Sequence, residues 1–275
     1  MIGRRHVLAA AGALAPEWGA SAASSASAAP WRRLGIAATG LSSPVGMAID
    51  RHGRLLVANW SAGTVTAHRA GAAPMVLASG LPGPSGLALS PAGELFVASY
   101  SQSVVWRILE GGTKEEFVRG LATPAGLSFD QQGQLLIANR ATNQVLVADA
   151  GGRVKVAVEG GLQTPVGAVQ FADGSYAVSN IDGGIAFAGA DGRARTVSRE
   201  LSRPGPGLAL ADERSVYVVD YGGTAVLQVD REGRTRVVAE GFSSPVGLVL
   251  TADKRRAIVA DWGTNTAYEM GLAGG

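Results

Sequence analysis

The sequence predicts an all-β protein, a six-bladed β-propeller of four-stranded antiparallel blades closed by an N-terminal strand that completes the last blade. Three observations carry that prediction. First, SPVGMAI, GPSGLAL, TPAGLSF, TPVGAVQ, PGPGLAL and SPVGLVL align on Gly46, Gly86, Gly126, Gly167, Gly207 and Gly247, spaced 40, 40, 41, 40 and 40 residues apart. Second, a further register of VANW, VASY, IANR, VSNI, VVDY and VADW ends at Trp60, Tyr100, Arg140, Ile181, Tyr221 and Trp262. Third, five units end in a fourth apolar stretch and the sixth does not. A β-sandwich would have strands of similar length but no such long-range period.

Composition narrows the class further. The chain has 275 residues, 47% hydrophobic and 17% charged, which is enough apolar material for a real core and unlike a disordered tail. Cysteine is absent, so disulfides, thiolate zinc sites and thiol nucleophiles are excluded. The formal charge is +2, and it falls to +1 when Arg4, Arg5 and Glu17 leave with the first 28 residues. Such near-neutrality gives no electrostatic ground for a nucleic-acid partner or an anionic membrane.

Along the chain, GRRHVLAAAGALA places Arg4 and Arg5 just before the apolar run from Val7 to Ala15. This is the pattern of an export signal, and the paired arginines resemble a twin-arginine signal. The run is too short to cross a bilayer, so no stable membrane insertion is expected. Ala26-Ser27-Ala28 offers a cleavage site, although Glu17 and Trp18 interrupt the small-residue stretch before it. Residues 1–28 are therefore expected to be removed, leaving 29–275 as a single propeller domain in the periplasm or outside the cell.

WRRLGIAAT, Trp31 to Thr39, then stands where a fourth strand would lie before the first repeat. Unit one reads as GMAID, the turn RHG, LLVAN, the turn SAG, TVTAHR, the turn AGA and PMVLAS, with Gly and Asp at the reversals. Units two to five close with KEEFVR, VKVAVE, ARTVSR and TRVVAE, whereas unit six stops after NTAYEM and the tail GLAGG. The strand at Trp31 to Thr39 should supply the missing edge and lock the ring without a covalent bond.

The repeat P-x-G-[LM]-A … G-x-[LV]-[LFY]-[VI]-A-[ND] resembles that of NHL-type six-bladed propellers over the whole chain from Trp31 onward. The gluconolactonase and senescence-marker group, the strictosidine-synthase-like proteins and the streptogramin B lyases share the pattern. Resemblance to the lyases implies a histidine at the channel mouth, falling at Val246, and a carboxylate near Asp261 for metal-assisted proton abstraction. Resemblance to the lactonases implies an asparagine before the conserved glycine and an aspartate after the second strand, together binding a divalent metal. The chain departs from both patterns. Val45, Ser85, Ala125, Val166, Pro206 and Val246 include neither the histidine nor the asparagine, and only Asp220 and Asp261 match the aspartate.

In a propeller of this wiring, the loops between blades and the loops joining second to third strands share one face around the axial mouth, where ligands collect. Blades five, six, one and two are consecutive in a closed ring, so Tyr221, Trp262, Trp60 and Tyr100 should form an aromatic arc, with Arg140 as a cation on the far side. Asn59, Ser99, Asn139, Asn180, Asp220 and Asp261 precede these positions. Two roles compete for the two rings. They can contact a ligand, with Trp60, Tyr100, Arg140, Tyr221, Trp262 and Asn59 as the contacts, or they can pad the gaps between blades and cap the following turns.

Asp220, Asp261, Asn139 and Asn180 also offer the hard oxygens that calcium takes, which makes them candidates for a divalent metal site, and the two aspartates are the only catalytic candidates. Of the three histidines, His6 lies in the signal, while His52 and His68 belong on the opposite face. The expected function is a top-face site for a small molecule or protein. The alternative is a metal-dependent hydrolase or lyase of the gluconolactonase, strictosidine-synthase-like or streptogramin lyase type.

Overall fold

The computed structural model describes residues 31–272. The export signal expected over 1–28, with its cleavage site near Ala28, lies outside the described residues. Those residues form six four-stranded antiparallel sheets. In blade one the strands run Pro44–Ile49, Leu55–Asn59, Thr64–His68 and Met75–Ala78 from the axis outward. Blades two to five repeat that order, starting at Pro84, Pro124, Pro165 and Pro204.

Local chemistry sets the reversals. Between the first two strands of blade one, the Asp50 carboxylate accepts the backbone N–H groups of His52 and Arg54, both at 2.9 Å, and Gly53 supplies the left-handed residue at φ 73°. Blade three repeats the device with Asp130, Gln132, Gln134 and Gly133.

Packing explains why the second strands are largely apolar up to their last residue instead of alternating. Leu55–Asn59, Leu95–Ser99 and Leu135–Asn139 are buried at every position because each sheet is covered on both faces by its neighbours. The core is accordingly six separate layers, one per interface between adjacent blades. Between blades one and two, for example, Leu56, Val65 and Ala67 meet Leu81, Leu87 and Val97.

The repeated glycine follows from the axis. A Cβ on Gly46 would lie 2.5 Å from both Ser85 O and Leu87 N of the next blade, and Gly86 would strike the carbonyl of Ala125 in the same way. Each innermost strand thus lies backbone to backbone against the next, an approach that no side chain permits.

Blade six is completed as the sequence predicts. Its order is Pro245–Leu250, Arg256–Asp261, Thr266–Gly271 and then Arg32–Ala38, with Ile36 opposite Tyr268 and Ala38 opposite Ala267. The clasp also grips blade five: Trp31 N–H donates to Val238 O at 2.6 Å, and its ring meets Tyr217 edge-on at 4.6 Å. Arg33 lies over the ring of Tyr268 at 4.0 Å.

Candidate functional site

Strand register places the inter-blade loops and the loops after the second strands on one face, since Pro44 pairs with Asn59 and Asn59 with Thr64. His52 and His68 lie at the other face: His52 is in the first turn, and His68 pairs with Leu55. Burial lowers the His68 imidazole below its ordinary range.

At the axis of the first face lies a cavity of about 300 Å³. Its floor is the apolar ring of Val45, Ser85, Ala125, Val166, Pro206 and Val246, the residues just before the axial glycines. The Ser85 hydroxyl is committed to the next blade, donating to Pro124 O at 2.9 Å. The wall is the second ring, Trp60, Tyr100, Arg140, Ile181, Tyr221 and Trp262, so one cavity gathers five of the six residues expected to contact a ligand. The aromatic arc is continuous across blades five, six, one and two. Tyr221 and Trp262 have ring centres 5.6 Å apart, Trp262 and Trp60 6.5 Å, and Trp60 and Tyr100 5.2 Å. Arg140 closes one end by donating from Nη1 to the Tyr100 hydroxyl.

Arg203 also lines the mouth, and sequence reasoning missed it. It precedes the proline that opens blade five, where the other blades carry Ser43, Gly83, Thr123, Thr164 and Ser244. One long cation among five small residues was the signal that could have found it.

Asn59, expected among the ligand contacts, instead braces the fold. It is 3% exposed, and its Oδ1 accepts Ser42 N–H at 3.0 Å while its Nδ2 donates to Thr66 Oγ1 at 2.9 Å. Asn139 and Asn180 likewise accept from Ala122 and Gln163. Blade two shows why the position varies: Pro82 has no N–H to offer, and Ser99 replaces the amide, donating to Pro82 O at 2.7 Å.

In blades five and six the carboxylate takes both loop donors. In blades one and four, the second loop N–H goes to the left-handed Asn265 or Asn143 of the preceding blade. At the loops entering blades five and six, that outside position holds Gly184 and Thr224. There Asp220 accepts both Ser202 and Arg203 N–H, and Asp261 accepts Ser243, Ser244 and Gly263 N–H at 2.8, 2.9 and 3.0 Å.

This donor set does not fit a divalent metal. The oxygens of Asp220, Asp261, Asn139 and Asn180 point into separate loops and are taken by backbone donors, and none of the four residues lines the cavity. Among the described residues, no group of three or more His, Asp or Glu side chains is arranged to hold a metal ion. Val246, where resemblance to the lyases would put a histidine, is part of the apolar floor.

No protein-family model matches the chain. No curated protein matches it by sequence. Solved structures do resemble it. A catalytically inactive virginiamycin B lyase from Staphylococcus aureus, crystallised with quinupristin, aligns at TM-score 0.67 and 14% identity, covering 85% of this chain and 82% of that one. A gluconolactonase from Xanthomonas campestris aligns at 0.74 and 16%, covering 88% and 94%. The PQQ-bound aldose sugar dehydrogenase of Streptomyces coelicolor aligns at 0.70 and 18%, covering 89% and 100%. At these identities the likeness establishes the propeller fold, and function has to come from the site.

Proposed function

We propose that the protein is an exported, NHL-type propeller that binds a small molecule at its axial mouth. The observation that carries this reading is the convergence of an apolar floor and a four-membered aromatic arc on a single cavity of about 300 Å³, the scale of small-ligand pockets. Structural neighbours include one crystallised with quinupristin, one bound to PQQ and one from a nidogen/laminin complex, so the choice of a small molecule rests on the cavity itself.

The test is a thermal-shift panel of amphipathic small molecules on the protein and on W60A and W262A. A ligand at about 100 times its Kd adds roughly 2.7 kcal/mol, which raises Tm by about 5–10 °C for a domain of this size. The shift should vanish in both variants. Equal shifts in the variants, or none with any compound, would remove the mouth from consideration. Export is tested by R4K/R5K, which should leave unprocessed precursor in the producing cell.

The lyase and lactonase neighbours support a second reading, a metal-dependent hydrolase or lyase, through fold likeness. The mouth counts against it, because no histidine or carboxylate lines the cavity to move a proton.

A further inference from the structure

We infer that the ligand of this mouth is an aromatic carboxylate, its ring held by the tryptophan and tyrosine arc and its anionic group by Arg140 and Arg203. The inference rests on the reading of the mouth as a small-molecule site and adds the charge and shape of the occupant.

Two observations carry it. The lining includes two arginines and no Asp, Glu or His. Neither Arg140 nor Arg203 makes an ion pair among the described residues, and the Arg203 side chain makes no hydrogen bond there either.

A ligand that brings negative charge compensates two guanidinium groups which no acidic side chain in the mouth neutralises. A cation would be repelled by both arginines. A neutral polyol would bring acceptor oxygens but no charge to set against the two guanidinium groups.

The ring order supplies the shape. Arg140 belongs to blade three and Arg203 enters blade five, so the two flank blade four, while Trp60 stands on blade one across the axis. The arginines therefore stand at the two ends of the aromatic arc, across the axis from its centre at Trp262 and Trp60. A flat molecule with a carboxylate at one end matches that arrangement, because the guanidinium fork takes a carboxylate through paired hydrogen bonds and indole faces take a ring.

The experiment is calorimetric titration of the purified protein with 2-naphthoate and with 2-naphthamide, which share a ring and differ in charge. The acid should bind at least about tenfold more tightly than the amide. R203Q and R140Q should each weaken the acid by at least about fivefold while leaving the amide unchanged within about twofold, and W60A should weaken both. Raising NaCl from about 0.05 to 0.5 M should weaken the acid alone, since salt screens the attraction.

Arg203 is exposed and its side chain makes no hydrogen bond or ion pair among the described residues, so R203Q keeps the test decisive if R140Q disturbs Tyr100. Equal binding of acid and amide, or acid binding unchanged in R203Q, overturns the charge assignment and leaves the ligand site standing. Tighter binding of 2-naphthyl phosphate than of 2-naphthoate overturns the carboxylate assignment. Binding of neither probe overturns the inference as well, and the thermal-shift panel then decides separately whether the mouth binds anything.

Discussion

Asp261→Asn separates the structural role of this residue from a metal-binding one. The wild-type carboxylate is 1% exposed and accepts three backbone N–H groups, one on Oδ2 from Ser243 and two on Oδ1 from Ser244 and Gly263. An asparagine would keep the doubly bonded oxygen and turn its NH2 toward Ser243, setting donor against donor. One charge-assisted bond is lost and one buried N–H is left unpaired, a cost of about 1–3 kcal/mol. At about 2–4 °C per kcal/mol for a domain of this length, Tm should fall by about 2–12 °C. The assay is thermal unfolding of wild type and D261N, each with and without EDTA, and with added calcium. The brace predicts a lower Tm for D261N and no chelator effect in either protein. A wild-type Tm that drops with EDTA, together with a variant that no longer responds, would make Asp261 a metal ligand and not a brace.

Three further outcomes follow from the same geometry. Trp31→Ala removes a 7% exposed ring packed on Tyr217 and should cost about 3–5 kcal/mol; deleting residues 29–38 should expose the edge at Thr266–Gly271 and cause association visible by light scattering. Gly46→Ala places a Cβ 2.5 Å from Ser85 O and should prevent soluble folding, whereas Gly35→Ala meets nothing within 4 Å and should leave Tm unchanged. Burial depresses His68, which the unfolded chain protonates near its ordinary value of about 6.5, so the unfolded state binds more protons below that pH. Stability measured by urea unfolding should therefore hold above about pH 7 and decline as pH falls through about 6.5, with a smaller decline in H68Q.

The repeat period made the ring legible before any coordinates, because an axial glycine recurs wherever two backbones touch, and each blade needs one. The missing outer strand of the sixth unit told where Arg32–Ala38 must pair, since an open edge has unsatisfied N–H and C=O groups. The aromatic arc could be read for the same reason: ring order follows chain order in a closed propeller. What the sequence concealed was the direction of lone pairs. Asn59, Asp220 and Asp261 carry the atoms of a ligand or metal site, yet those atoms turn into the loops at Ser42, Ser202 and Ser243. Pro82 beside Ser99 held the clue, as the one loop without an N–H is the one blade without an amide or carboxylate. Arg203 was hidden by the extra residue in PGPG, which shifts the proline of blade five one place from its glycine.

A crystal of the protein soaked with 2-naphthoate would show where a flat anion sits in the mouth. The expected density has the ring against Trp60 and Trp262 and the carboxylate within hydrogen-bonding reach of Arg203 or Arg140. Density with the carboxylate pointing away from both arginines, or bound elsewhere with the mouth filled by water, would overturn the charge assignment.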